Sequence, residues 1–128
     1  MDDFLYKDEG FQIIKCFYAV YNTLGAGFLE SVYQEALSKE FGKNNVPFVK
    51  EKKLEIYYNE DKLNKFFKAD FICYNDIIVE VKAQKFITKS DTDQVINYLS
   101  ATKYKLSYLV NFGAPQIYYR RMIHTDRR

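Results

Sequence analysis

Three charged residues, Asp70, Glu80 and Lys82, stand where apolar ones belong. They fall within Lys68-Ala69-Asp70-Phe71-Ile72-Cys73-Tyr74-Asn75-Asp76-Ile77-Ile78-Val79-Glu80-Val81-Lys82-Ala83, two apolar runs joined at Asn75-Asp76, which predicts a β-hairpin. A buried carboxylate costs several kcal/mol unless it is paired or holds a metal. Two carboxylates and a lysine in one hairpin therefore predict a site in which the acids bind a divalent cation and the lysine stands beside it. With oxygen donors as ligands the ion is a hard one, Mg²⁺ first and Mn²⁺ second, and the Val81 carbonyl is a further candidate ligand. Such an ion polarises a phosphoryl oxygen and lowers the pKa of a bound water. Lys82 would place that water or neutralise charge in the transition state. The competing reading is a structural salt bridge from Lys82 to both acids.

The hairpin's connection decides whether the three charges share a face. On one strand Glu80 and Lys82 point the same way, because side chains alternate. A strict two-residue loop at Asn75-Asp76 would set Asp70 opposite Val81, pointing away from them. A three-residue connection, Tyr74-Asn75-Asp76, would pair Asp70 with Glu80 and gather all three. A shared site therefore predicts a three-residue turn or a bulge.

The elements that must position these groups are legible from periodicity. Ile14, Phe17, Tyr18, Tyr21 and Leu24 recur at helical spacing from Asp8 to Leu24. Gly25-Ala26-Gly27 breaks that helix, and a second runs from about Phe28 to Phe41 with the stripe Leu29, Val32, Tyr33, Ala36 and Leu37. Gly42, Asn44-Asn45 and Pro47 are its stop signals. Glu30 lies in its first turn, where a carboxylate gains from the positive helix end. Period two then takes over: a half-exposed strand from about Val49 to Tyr58, a turn at Asn59-Glu60-Asp61, and strands over Phe66–Tyr74 and Ile77–Ala83. The last of these is apolar on both faces apart from its two charges, so it belongs at the centre of a sheet. Thr88 to Asp91 supplies caps for a third helix through Thr102, followed by a strand from Leu106 to Phe112 and an edge strand from Gln116 to Ile123. The tail from His124 onward is expected to fray. The order is ααβββαββ, an α/β (α+β) domain over residues 1–128 with a central mixed sheet flanked by helices. Its third helix joins two parallel neighbours.

Composition limits the function class without naming it. A 128-residue chain with 48% hydrophobic and 28% charged residues reads as one soluble globular domain. The 12 Tyr and 11 Phe are chiefly core material. The acidic start Met1-Asp2-Asp3-Phe4 is unlike a signal peptide, and no run is long enough to span a membrane. Cys16 and Cys73 lack CxxC spacing and read as free thiols, which together point to the cytoplasm. Net charge is only +2, but residues 1–42 carry −4 and residues 43–128 carry +6, which places a basic balance around the hairpin.

Asp70 followed by nine residues and Glu80-Val81-Lys82 resembles the PD-(D/E)XK nuclease signature, with Ala69 in the proline's place. The element order resembles the restriction-endonuclease-like core of that superfamily. Gly27-Phe28-Leu29-Glu30-Ser31-Val32-Tyr33 is similar to the motif that names the GxxExxY family. Leu24-Gly25, Tyr33-Gln34-Glu35-Ala36-Leu37, Lys68-Ala69-Asp70, Glu80-Val81-Lys82-Ala83, Gln94-Val95-Ile96-Asn97-Tyr98-Leu99 and Val110-Asn111-Phe112-Gly113 also resemble its blocks, in order, over roughly residues 10 to 123. The chain departs from the family at Tyr21, where a histidine is common, and at Ala26, where a proline is.

The resemblance implies a Mg²⁺- or Mn²⁺-dependent nuclease that hydrolyses phosphodiester bonds, of DNA first. It implies Asp70 and Glu80 as metal ligands, Lys82 as the catalytic lysine and Glu30 as a helix-borne acid that completes the metal site. Gln94 and Tyr98, one turn apart, match a Gln-xxx-Tyr element of RecB-like nucleases, in which the glutamine supports lysine, water or DNA. Lys50, Lys52, Lys53, Lys85 and Lys89 are candidates for the phosphate backbone, and Tyr57, Tyr58, Tyr118 and Tyr119 for stacking. The alternatives are a catalytically silent nucleic-acid-binding module and a protein-interaction subunit, each on the same fold. In a domain so small, narrow specificity would have to come from loops, a homodimer or a protein partner.

Overall fold

The computed structural model describes residues 5–124. Among them α1 (Lys7–Leu24) and α2 (Glu30–Lys43) precede β1 (Phe48–Tyr58), β2 (Asp61–Cys73) and β3 (Ile77–Lys82); α3 (Lys89–Ala101), β4 (Leu106–Asn111) and β5 (Tyr118–Ile123) follow. The strands form one mixed sheet in the order β1-β2-β3-β4-β5. Every neighbouring pair is antiparallel except β3 and β4, which run parallel with α3 between them in sequence. The expected ααβββαββ order and central position of the charged strand are those observed.

Alternation along β3 assigns the two faces. Ile77, Val79 and Val81 meet Leu106, Tyr108 and Val110 under α1 and α2, where Ile13, Phe17, Tyr33, Leu37 and Phe41 close the larger core. Ile78 points the other way, into a smaller core with Leu109, Val95, Leu99 and Met122 beneath α3. Glu80 and Lys82 continue the Ile78 side. Complete burial of rings such as Phe17, Phe41 and Phe71 is worth about 1.5–3 kcal/mol each, and it fixes the sheet against the helices.

Several boundaries and faces differ from the sequence expectation for identifiable reasons. α1 docks through Gly10, Ile13, Cys16, Phe17 and Val20, one step round from the predicted stripe, and Tyr18 is exposed. Gly10 explains the rotation: a side chain there would collide with the Tyr108 hydroxyl, so the helix approaches the sheet along that edge. α2 buries Tyr33, Leu37 and Phe41, a narrower stripe than predicted, and Leu29 and Val32 lie outside it. α2 also runs past Gly42 to Lys43, because Asn45 (φ 58°) takes the left-handed turn expected of the glycine. β2 begins at Asp61 rather than Phe66, since backbone pairing of Tyr57 with Lys62 and of Tyr58 with Asp61 extends the β1–β2 arm beyond its apolar stretch. His124 donates its N–H to the Lys105 carbonyl, so the expected fraying does not begin there; residues 125–128 lie outside the described residues. Cys16 and Cys73 are buried free thiols.

The β1–β2 arm switches faces at the level of Asp70. Phe71 joins the core beneath α1 and α2, yet Ala69 joins the one beneath α3, although strict alternation would put both on one side. Across from them the ladder passes from Lys50–Phe71 to Lys52–Ala69, and the intervening Glu51 has φ 53°. A positive φ is rare for a non-glycine residue in a strand and marks a local bend. Asp70 stands at that bend.

Candidate active site

The β2–β3 connection consists of Tyr74, Asn75 and Asp76, between Cys73 and its ladder partner Ile77. Tyr74 (φ 54°) and Asn75 (φ 63°) both lie in the left-handed region, and the Asp76 N–H donates to the Cys73 carbonyl at 3.1 Å. The register Cys73–Ile77, Ile72–Ile78, Phe71–Val79 therefore brings Asp70 opposite Glu80, the condition for the three charges to converge.

At that level the strands part and side chains replace the ladder. The Val81 N–H donates to Asp70 Oδ2 at 2.8 Å, and the Asp70 N–H donates to Glu80 Oε2 at 3.1 Å. Each carboxylate thus caps the backbone of the opposite strand. N–H and C=O of one strand residue point to the same side, so the Val81 carbonyl also faces this opening. The next residue turns the other way: the Lys82 carbonyl accepts from the Phe112 N–H at 2.9 Å.

The acids are short of positive charge. Burial and the neighbouring Asp70 carboxylate push Glu80 up to about 8, with Glu30 adding to the repulsion. Asp70 is raised by burial, against the Val81 N–H and the Lys82 charge. Glu30 is raised by burial and by Asp70. Lys82 acts on all three and on Asp91, but it forms no direct ion pair among the described residues. The competing expectation, a Lys82 salt bridge locking both acids, is not what the structure forms.

The motif Gly27-Phe28-Leu29-Glu30-Ser31-Val32-Tyr33 acquires a physical account. Tyr33 is wholly buried with its ring stacked on Phe112 at 4.7 Å, while its hydroxyl donates to the Gly25 carbonyl and accepts the Phe28 N–H. Gly27 (φ 113°) permits the turn this clamp requires. The loop so held makes Glu30 the first residue of α2, close enough to Asp70 and Lys82 to feel both. Gln34, to which sequence reasoning gave no role, stands between the acids: its Nε2 reaches Glu30 Oε2 at 3.4 Å, and it lines one cavity with Asp70, whose carboxyl it helps to lower. Its position one helical turn after Glu30 was the available signal.

On the other flank, α3 presents Gln94 and Tyr98. Gln94 is exposed, and Tyr98 is raised by burial and by the charges of Glu80 and Asp70, with Gln94 acting the other way. One face of the Tyr98 ring is taken by Phe67, stacked at 3.5 Å, so that ring is part of the wall. The strand exit beyond Lys82 is fixed by Asn111, fully buried, whose Oδ1 accepts the Gln84 and Gly113 N–H groups and whose Nδ2 donates to the Gln84 carbonyl. Gly113 presses so closely on Ala83 and Gln84 that a side chain there would collide with their backbone.

The predicted phosphate-binding lysines scatter. Lys50 lines a cavity of about 420 Å³ that reaches Asp70 together with Gln34 and Lys39. Lys52 and Lys53 line a separate cavity of about 510 Å³ at the far end of α3 with Tyr57 and Lys103. Lys85 is exposed in the loop after β3, and Lys89 pairs with Asp93 at 2.7 Å. Among the tyrosines, Tyr119 packs on Phe17 and Tyr108, while Tyr57, Tyr58 and Tyr118 are exposed.

A family model for the PD-(D/E)XK nuclease superfamily matches residues 7–122. The chain belongs to that superfamily. No curated protein and no solved structure matches it. The mixed five-stranded sheet with its acidic hairpin is the restriction-endonuclease-like fold of PD-(D/E)XK proteins, whose members are usually nucleases acting on nucleic acid with divalent metals. Among the described residues no helix is long and apolar enough to cross a membrane.

The donor set suits a hard cation, though not as a finished cage. Among the described residues no three His, Cys, Asp or Glu side chains are gathered as metal ligands. Two carboxylates and an inward carbonyl are nevertheless the partial set that Mg²⁺ accepts, because it retains waters and substrate oxygens as its other ligands. Raised carboxylates, beside a lysine that forms no ion pair among the described residues, are a site in which added positive charge lowers the energy.

Proposed function

We propose that this PD-(D/E)XK protein is a metal-dependent nuclease that hydrolyses phosphodiester bonds, with DNA as its substrate. The observation that carries the reading is the opposition of Asp70 and Glu80 across the parted end of β2 and β3, with Lys82 following on the Glu80 side. The narrower GxxExxY assignment rests on the Gly27–Tyr33 motif.

In this reading Asp70, Glu80 and the Val81 carbonyl hold Mg²⁺ or Mn²⁺. The cation, when bound, polarises the phosphoryl oxygen and acidifies water. Glu30 completes the site from α2, near enough to Asp70 and Lys82 to feel both charges, with Gln34 at 3.4 Å from its Oε2. Lys82, without a direct ion pair among the described residues, offers its ammonium to the phosphate where negative charge grows, and such preorganised charge is worth about 10²–10³ in rate. Gln94 and Tyr98 hold the opposite wall, with Gln94 exposed enough to meet substrate or water. Lys85 and Lys89 lie toward the backbone of the bound strand, Lys89 after exchanging Asp93 for phosphate.

Plasmid nicking in Mg²⁺ and Mn²⁺ tests the reading. Cleavage by the wild type, lost in Asp70→Ala, Glu80→Ala and Lys82→Ala while all three remain folded, supports it. Cleavage that survives in all three, or binding of DNA without cleavage in either metal, would sink it.

A further inference from the structure

We infer that the pocket beyond β3, between Phe86 and Tyr118, receives an unpaired nucleobase, so that the substrate of the proposed nuclease site carries a single-stranded segment. The inference rests on that nuclease reading for the placement of the phosphate, and on separate observations for the base.

A cavity of about 280 Å³ is lined by Lys85, Phe86, Ile87, Asn111, Ala114 and Tyr118. It is small beside the roughly 300–1,000 Å³ of a drug-sized pocket, and its scale suits one planar ring. Phe86 is 70% exposed and Tyr118 41% exposed, which is unfavourable for aromatic rings that nothing covers. The pocket is bound rigidly to the catalytic strand. Asn111 is the ladder partner of both Lys82 and Tyr118, and its side chain clamps the Gln84 backbone two residues before Phe86. A second apolar lip, Phe28 and Leu29, immediately precedes Glu30, and Phe28 leans on Tyr33, which stacks on Phe112 beside Asn111. Lys85, in the lining of the same pocket, is the cation for the adjoining phosphate.

Charge and shape favour a nucleobase over a protein side chain. The lining contributes a cation and two aromatic side chains and no carboxylate. Inside a duplex the faces of each base are already covered by its neighbours, so exposed rings beside a phosphate site gain nothing from paired DNA. An unpaired base brings a free face, and aromatic stacking on it tolerates any sequence.

Fluorescence anisotropy with a 5′-labelled oligo-dT 20-mer and a duplex of the same length, in EDTA to prevent cleavage, tests this directly. Wild type is expected to bind the single strand at least about tenfold more tightly than the duplex. Phe86→Ala should weaken single-strand binding about fivefold to a hundredfold and leave duplex binding unchanged, with Phe86→Trp restoring it. Phe86→Leu, which keeps apolar surface and loses the ring, should behave like Phe86→Ala. Equal loss on both probes, no loss on either, or full affinity in Phe86→Leu would overturn the proposal. So would a change from dimer to monomer in Phe86→Ala by light scattering with single-strand binding intact, which would make the patch a protein interface. The two readings fail separately. Cleavage of single strand and duplex at equal rates, indifferent to Phe86, removes the pocket and leaves the nuclease. Phe86-dependent binding without cleavage in any metal removes the nuclease and leaves the pocket.

Discussion

Two polar clusters flank Lys82, one buried around Asn111 and one half-buried at Asp70 and Glu80, and they are built on opposite principles. Around Asn111 the side-chain oxygen and nitrogen are all engaged: two backbone N–H groups and one carbonyl meet a neutral amide inside the sheet. Around Asp70 and Glu80 each carboxylate accepts one backbone N–H, yet the two acids repel each other and are raised by burial. A satisfied cluster rigidifies and specifies a conformation, while a frustrated one stores a requirement for something further. The difference separates scaffold from site without reference to any relative: removing Asn111 should damage the fold, and removing a carboxylate should relieve it.

The strongest way to break the comparison is Glu80→Gln. Loss of this proposed metal ligand should lower cleavage about 10²–10⁴-fold, measured as single-turnover nicking at saturating Mg²⁺. The same variant should melt no lower than the metal-free wild type, and higher near pH 8. Glu80 is raised from an ordinary value near 4.5 to about 8, so the folded state holds a proton that the unfolded state gives up. Wild-type stability without metal therefore falls as pH rises from about 4.5 to about 8, and the amide variant lacks that slope. A Glu80→Gln protein that is inactive and also markedly less stable at pH 8 would make this cluster structural like the other.

Asn111→Ala is the converse. Truncation leaves the Gln84 N–H and carbonyl and the Gly113 N–H without their partner, at about 1–3 kcal/mol for each group that water cannot reach. A total loss of about 2–4 kcal/mol in urea unfolding, with Mg²⁺ still raising the midpoint, fits a scaffold role. The Mg²⁺ response sharpens the contrast further. Saturation at a hundred times Kd should add about 2.7 kcal/mol to the wild type, and the gain should vanish in Asp70→Asn. An undiminished gain in Asp70→Asn would move the cation elsewhere.

How much of this was legible in the sequence follows from what periodicity can and cannot carry. The strand order and the central place of β3 were legible because Ile77, Ile78, Val79 and Val81 are apolar on both faces, which only an interior strand requires. The three-residue turn was legible only as a condition, since Asn75-Asp76 suits more than one loop length. The face of α1 was missed because Gly10 carries no hydrophobic signal, yet its lack of a side chain is what lets Tyr108 approach. Gln34 and Asn111 were passed over for the same reason: an amide has no periodicity, and its role appears only when the groups it bridges are in place. The bend at Glu51 was equally hidden, because a glutamate between lysines reads as an exposed strand residue whatever its φ.

The smallest expected effect joins the two clusters through α3. Thr88 caps that helix by accepting the Asp91 N–H, and Asp91 accepts the Thr88 N–H in return, a reciprocal box. Asp91 Oδ2 also accepts Gln84 Nε2 at 2.9 Å, so the residue that Asn111 clamps by its backbone is tied by its side chain to the helix bearing Gln94. Hydrogen bonds from the Thr88 backbone and the Gln84 side chain hold Asp91 below the usual carboxylate range. A group depressed on folding contributes stability above its unfolded pKa and loses it as pH falls through the folded value. Asp91→Ala should therefore cost about 0.5–2 kcal/mol at neutral pH, and the difference from wild type should shrink as the medium is acidified below about pH 4. Asp91→Asn keeps an acceptor for both bonds but not the charge, so it should retain much of the cap and lose the pH dependence. If that variant also cuts DNA at the wild-type rate, the tie serves the scaffold alone. If cleavage falls with the fold intact, the tie sets the distance between Gln94 and the acids, and the satisfied cluster helps to position the frustrated one.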